Sequence, residues 1–169
     1  SAEEENSGSK GIRSMVPKLP EIDFAIIGEP TLMHLAIAEK GLLVLDCYAH
    51  GAAGHAAHSR GDNSIYKAVK AIQWFETFKF PKVSETLHDT KMTVTQIDAG
   101  SQHNVLPSTC HFVVYIRAND LYSNREVLDL VQEHVEIEVK ERSLNLNSSS
   151  IPKNHEVVLA GVALGREIY

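Results

Sequence analysis

Leu42-Leu-Val-Leu-Asp-Cys-Tyr-Ala49, running into His50-Gly-Ala-Ala-Gly-His-Ala-Ala-His58 and on through Ser59-Arg-Gly-Asp-Asn63, decides how this chain folds. The first eight residues are a strongly apolar run of strand length. Beyond Asn63, the residues Ile65, Ala68, Val69, Ile72, Phe75 and Phe78 recur at three and four, one apolar helix face, with Pro81 past its end. The histidine-rich segment is therefore a strand-to-helix connection. Gly51 and Gly54 let its backbone approach another surface closely, and four alanines leave the imidazoles uncrowded. Three readings of these histidines stay open on the residues alone: metal ligands, an acid–base or electrophilic group, or solvated loop residues. Metal is the weakest of them, because no Cys or carboxylate stands beside them at ligand spacing.

Working outward, Met92–Ile97 and Thr109–Ile116 read as strands. In the second, Cys110, Phe112, Val114 and Ile116 share one face, while Thr109, His111, Val113 and Tyr115 share the other. The connection between these strands, residues 98–108, far exceeds the 2 to 5 residues of a usual hairpin loop, and long loops tend to be functional. Ser123-Asn-Arg-Glu126 is a capping-box pattern opening a helix whose apolar face is Val127, Leu130, Val131 and Val135. Val135, Ile137 and Val139 then alternate with charges as a half-exposed strand that runs on toward Leu144 and Leu146. Residues 35–146 thus give strand, helix, strand, strand, helix, strand, with a first strand that bends as a hairpin at Glu39-Lys40-Gly41. That order folds most simply as a ferredoxin-like four-stranded antiparallel sheet with two helices on one face. Two segments fall outside it. Phe24-Ala-Ile-Ile27 reads as a strand buried on both faces, placing Glu29 at a strand's C-terminal end, where open α/β sheets put their ligands. After the linker Asn147–Ser150, Asn154 caps a last helix carrying Val157, Gly161, Leu164 and Ile168 on one side. The fold class is therefore α/β with an inserted α+β domain: residues 1–31 and 151–169 look like pieces of one α/β unit, and 32–150 is the domain inserted between them.

Composition narrows the function. With 169 residues, 43% of them hydrophobic, the chain can bury a real core. A net charge of -6, a pI near 5.8 and scattered Lys and Arg argue against nucleic-acid or anionic-membrane binding. No apolar run approaches the ~20 residues of a membrane span. Cys47 and Cys110 lie inside apolar runs and read as buried reduced thiols, so the expectation is a soluble cytoplasmic protein.

Four stretches taken together resemble a known family. They are Ala2-Glu-Glu-Glu5 with Ser7-Gly8 and Gly11-Ile12; Ile26-Ile-Gly-Glu-Pro-Thr31; Lys40-Gly41 leading to Gly54-His-Ala-Ala57 and Gly61-Asp-Asn63; and Gln102-His-Asn-Val-Leu-Pro107 leading to Val113-Val-Tyr-Ile-Arg117. In this order they look like the zinc amidohydrolases that include acetylornithine deacetylase, succinyl-diaminopimelate desuccinylase, aminoacylase and carboxypeptidase G, with the first of these nearest. The resemblance implies an α/β catalytic domain holding two zinc ions, with cobalt as an alternative, of which residues 1–31 and 151–169 are remnants, and an inserted lid, residues 32–150, that mediates a homodimer. It implies that Glu4 is the general base, that Glu5 and Glu29 are ligands of different zinc ions, and that His55 reaches into the partner subunit's site. Asn104 and Arg117 then contact the substrate, a small N-acyl amino acid, and His50 and His58 are left as ordinary loop residues. In such chemistry a water whose pKa is lowered by metal attacks an amide carbonyl, a carboxylate moves the proton, and the imidazole donates to the developing oxyanion.

The family's His-x-Asp ligand pair, its bridging Asp and its late His ligand find no counterpart among these residues. The expectation is thus a piece of a longer enzyme, inactive alone and holding metal weakly or not at all. A dipeptidase, aminoacylase or desuccinylase is the alternative within the class. The rival from another class is a stand-alone ferredoxin-like dimerisation or small-molecule-binding module. Glu4, Glu5 and Glu29, which such a module would not need, favour the enzyme.

Overall fold

The computed structural model describes residues 10–28, 30–32, 34–58 and 61–168. The chain divides into two compact units, residues 1–34 and 35–169.

In the first unit, Ile12–Met15 forms one helical turn and Val16–Lys18 a 3-10 turn. Pro17 stands in the opening positions of the second turn, where its missing N–H is not required, so it re-tightens the helix instead of stopping it. Residues 24–28 carry no strand, and Phe24, Ile26 and Ile27 are exposed. The expected two-sided strand is absent here for a physical reason: a parallel-type strand needs neighbours to take its backbone groups, and no described residue pairs with it.

The second unit is built on four long strands, β1 (Gly41–His50), β2 (Lys91–Ala99), β3 (Thr109–Ala118) and β4 (Glu138–Glu141), with α1 (Ser64–Thr77), α2 (Asn124–His134) and α3 (Glu156–Ile168). The sheet runs β2-β3-β1-β4, every pairing antiparallel, which is the ferredoxin-like order expected. The period-2 pattern decides the core face. Leu43, Leu45, Cys47 and Ala49 of β1 and Cys110, Phe112, Val114, Ile116 and Ala118 of β3 have no exposed surface. Against them lie Ala68, Ala71 and Phe75 of α1 and Val127, Leu128 and Val131 of α2. Burying one Leu or Phe side chain in this layer contributes about 2–3 kcal/mol. Helix α1 turns a narrower face inward than its pattern suggests: Val69 is exposed, and Ala68 and Ala71 sit on the sheet. Trp74 joins the helices, its ring 4.7 Å from that of Phe78 and 5.4 Å from that of His134.

Local signals behave as expected at most helix starts. Asn63 caps α1 by accepting the Ile65 N–H. Ser123 and Glu126 complete their capping box, which satisfies two otherwise orphaned N–H groups. At α3 the cap is His155, whose Nδ1 accepts the Val157 N–H at 3.3 Å, in place of Asn154. The buried position of that helix is Val158, and Gly161 lies against Leu35, while Leu164 is exposed.

Two short ribbons complete the unit. Ala38–Glu39 pairs with Ser149–Ser150 instead of folding back on β1 as a hairpin, so the expected linker 147–150 is half of a ribbon. Gly54–His55 pairs with Val105–Leu106. Strand β4 starts three residues later than its alternation suggests, because Val135 is taken as the C-cap of α2. Past β4 the chain still follows β1, with the Leu42 N–H donating to the Leu146 carbonyl at 2.8 Å. On the outer strand β2, the register shifts by one residue between Val94 and Gln96, a bulge at an edge.

Candidate functional site

Of the residues singled out by resemblance, Glu4, Glu5 and Glu29 lie outside the described residues. His55, Asn104 and Arg117 are described, and the fold brings the first two together and holds the third apart.

His55 and Asn104 are joined through backbone. His55 faces Val105 in the short ribbon, and the next residue's N–H, from Ala56, donates to the Asn104 carbonyl at 2.9 Å. The long 98–108 loop is thus pinned to the histidine loop. The platform beneath is built from further main-chain bonds: Gly51 N–H to the Ser108 carbonyl and Ala52 N–H to the Asp62 carbonyl, each at 2.8 Å, and Ser64 Oγ to the Pro107 carbonyl at 2.9 Å. Gly51 is required there, since a Cβ would stand 2.1 Å from the Asp62 carbonyl oxygen. Lys67 Nζ closes the arrangement, donating to the His50 carbonyl at 2.7 Å and to Asp62 at 2.6 Å. On this platform His55 is exposed. Its Nδ1 accepts the Ala57 N–H at 3.2 Å, and the His58 ring lies 5.1 Å away at 31°. A shallow depression beside the ribbon is lined by Ala56, His103, Val105, Leu106 and Pro107.

Arg117 stands at the other end of the sheet. It is opposite Leu42 on one side and Lys91 on the other, whereas the histidine loops leave from the His50 and Thr109 end. Eight strand steps separate Thr109 from Arg117, about 26 Å. Its guanidinium lies 3.3 Å from Glu39 and is about one-third exposed, next to the ribbon through which the chain enters and leaves the sheet.

A third group, invisible to periodicity, occupies the face of the sheet away from the helices. Arg142 donates two hydrogen bonds to Asp46, at 2.7 and 2.9 Å, and His111 Nε2 donates a third at 3.0 Å. The Arg142 hydrogen bonds, helped by His111, hold the Asp46 carboxyl down from its ordinary 3.8 to about 2, against the opposing effect of burial. Tyr48 stacks on His111, and Lys140 lies over Tyr48. His50, read from the sequence as an ordinary loop residue, ends β1 and donates to Glu138 at 2.6 Å; the Glu138 carboxyl is lowered first by Lys140 and then by His50. The charged and imidazole members of this cluster pair with one another, so it is a brace for the open face.

The thiols are buried. Burial pushes Cys47 up to about 12 and raises Cys110, which disfavours the thiolate in both. Among the described residues no group of three His, Cys, Asp or Glu could hold a metal ion, and His55 and His58 have no third ligand. No helix among the described residues is long and apolar enough to cross a membrane.

The chain is 28% identical to a succinyl-diaminopimelate desuccinylase of Wolbachia pipientis subsp. Culex pipiens, over 96% of this chain and 45% of that protein. It is 26% identical to the enzyme of the same name from Rickettsia bellii, over 88% and 42%. The chain therefore spans less than half the length of these relatives. In fold it is similar to an M20 family metallo-carboxypeptidase from Sulfolobus solfataricus (TM-score 0.62, 12% identity, 79% of this chain and 50% of that one). It is similar also to a tripeptidase from Staphylococcus aureus (TM-score 0.57, 19% identity, 78% and 36%). Residues 37–143, well over half of the chain, match the family model described as the peptidase dimerisation domain, and this protein belongs to that M20 dimerisation-domain family.

Proposed function

We propose that the full-length protein is a metal-dependent amidohydrolase that removes an acyl group from an N-acyl amino acid, working as a homodimer through this lid. The relatives named above carry a desuccinylase name, so the acyl group favoured is succinyl, in place of the acetyl group that the nearest family resemblance suggested. In this reading residues 1–31 and 151–169 belong to the catalytic domain, Glu4 is the general base, and Glu5 and Glu29 each hold one of two zinc ions. The described residues supply no metal site, so the chemistry argued here is that of the lid alone.

The observation supporting the reading is the separation of His55 and Asn104 from Arg117. The imidazole that can donate to an oxyanion sits on the loops that leave the Thr109 end of the sheet, and the guanidinium that can clamp a carboxylate stands at the Arg117 end, strand positions about 26 Å apart. A small substrate cannot touch both in one lid. It can do so where the histidine end of one copy meets the arginine end of another, which makes the dimer a condition of the chemistry. Arg117 then holds a substrate carboxylate, and His55 stabilises the charge developing on the amide oxygen.

The test is activity of the full-length enzyme toward N-succinyl and N-acetyl amino acids, with His55→Ala and a heterodimer. His55→Ala should lower kcat by about 10²- to 10³-fold with metal content unchanged. Pairing a Glu4→Gln, His55→Ala double variant with the wild type leaves one lesion in each site if His55 acts across the dimer. Near half of wild-type activity in that heterodimer would refute the trans assignment.

A further inference from the structure

We propose that His58 is a positioning residue for His55: its ring packs against the His55 ring and, with the Ala57 N–H, holds the neutral imidazole as the Nε2–H tautomer with Nε2 turned to solvent. The inference rests on the reading of His55 as a donor. It adds a role for a residue that the sequence left as an ordinary part of the loop.

The geometry carries it in three steps. First, Nδ1 of His55 accepts the Ala57 N–H at 3.2 Å. A ring nitrogen that accepts has a free lone pair, so in the neutral ring the single proton lies on the other nitrogen. Nε2–H is then the only donor His55 can offer, which is the group an oxyanion requires. Second, an exposed imidazole two residues from its donor partner would ordinarily rotate away from that bond. His58 opposes this: the tight turn closed by the His58 N–H on the His55 carbonyl at 3.0 Å brings the two rings to 5.1 Å and 31°. Ala56 and Ala57 between them carry only methyl groups, too short to intervene. Third, the turn itself is fixed, because Ala56 is tied to Asn104 and His55 to Val105. The backbone sets where the ring starts, and His58 sets which way it points.

Two measurements test this. In the present chain with ¹⁵N-labelled histidine, the His55 signals should show Nδ1 as the bare nitrogen and Nε2 as the protonated one. His58→Ala should shift them toward a mixture, and His58→Phe, which keeps a ring and cannot titrate, should restore the bias. In the full-length enzyme, His58→Ala should lower kcat about tenfold with KM unchanged, a fraction of the loss for removing the donor itself, and His58→Phe should recover most of it. An unchanged His55 tautomer and unchanged kcat in His58→Ala, alongside a crippled His55→Ala, would overturn the positioning role alone. A tautomer shift in His58→Ala with full activity in both alanine variants would uphold it and sink the catalytic reading of His55. A His58→Phe variant as impaired as His58→Ala in both measurements would overturn ring packing as the cause.

Discussion

The two ends of the sheet are held by different means. At the histidine end, order comes from main-chain hydrogen bonds between loops, closed by Gly51, Ser64 and Lys67, and the side chains on top are exposed. At the arginine end it comes from one buried side chain. Asn124 has no exposed surface, and its Nδ2 donates to the carbonyls of Leu42, Leu144 and Leu146, while Asn147 Oδ1 accepts its backbone N–H. Among the described residues its Oδ1 has no hydrogen-bond partner, and it looks at Gly41, where a Cβ would come within 3.2 Å. Loops tied by backbone can carry any side chain outward, which suits a residue that must reach a second molecule. An end tied by a buried amide fixes the neighbouring strand, which suits a residue that must hold one position.

That difference can be broken in steps. The largest effect belongs to a change that respects neither end: Phe112→Ala removes a fully buried ring from the middle of β3 and should cost about 3–5 kcal/mol, with amide hydrogen exchange accelerated at both ends. Protection left unchanged at one end would show that the core does not couple them. Next, Gly51→Ala drives a methyl onto the Asp62 carbonyl and should cost about 3 kcal/mol. Here exchange should rise around Gly54–His55 and Val105–Leu106 while Leu42 and Arg117 stay protected. Asn124→Ala should do the reverse at about 2 kcal/mol, loosening Leu42 and Leu146 and leaving the histidine ribbon intact.

The smallest effect sharpens the comparison by lying between the ends. Asp46 is about one-fifth exposed, and its folded pKa lies below the unfolded value. The stabilisation it provides is therefore complete above about pH 4 and is lost as pH falls from there toward 2. It should amount to on the order of 1–2 kcal/mol, read as the loss of urea midpoint in acid that Asp46→Asn no longer shows. An identical acid dependence in the variant would assign the effect to other carboxylates.

How far the sequence could be read follows the same division between local and distant causes. The strand faces of β1 and β3 and the capping box at Ser123 were legible because each depends on neighbours within a few residues, and the order of the sheet because the succession of elements leaves few topologies. The Asp46–Arg142 pair joins residues 96 positions apart, and Asn124 acts on carbonyls 20 to 82 positions away, so no period announces either. The segment 24–27 misleads for the opposite reason: its apolar run is a local signal whose meaning depends on partners that the described residues do not supply. Within the site, His55 and Asn104 were marked by resemblance, and their adjacency was not, since a two-residue ribbon is too short to leave a pattern. His58 had a signal, three positions after His55 across two alanines, that only the tight turn makes meaningful.

The ribbon of Ala38–Glu39 with Ser149–Ser150 places the incoming and outgoing chain one strand spacing apart, about 5 Å. A unit whose two crossings coincide can be cut out and closed with a short turn, or reopened at an exposed loop to give new termini. The 54–63 loop would be the wrong place to reopen it, because its backbone holds the opposite end together. The connection from Ser84 to Asp89, mostly exposed and away from the histidine loops, is the better one. Permuted there, the sheet would keep its strand neighbours while the order in which they are synthesised changes, so that β2 precedes β1 and the two ends of the lid are made in reverse.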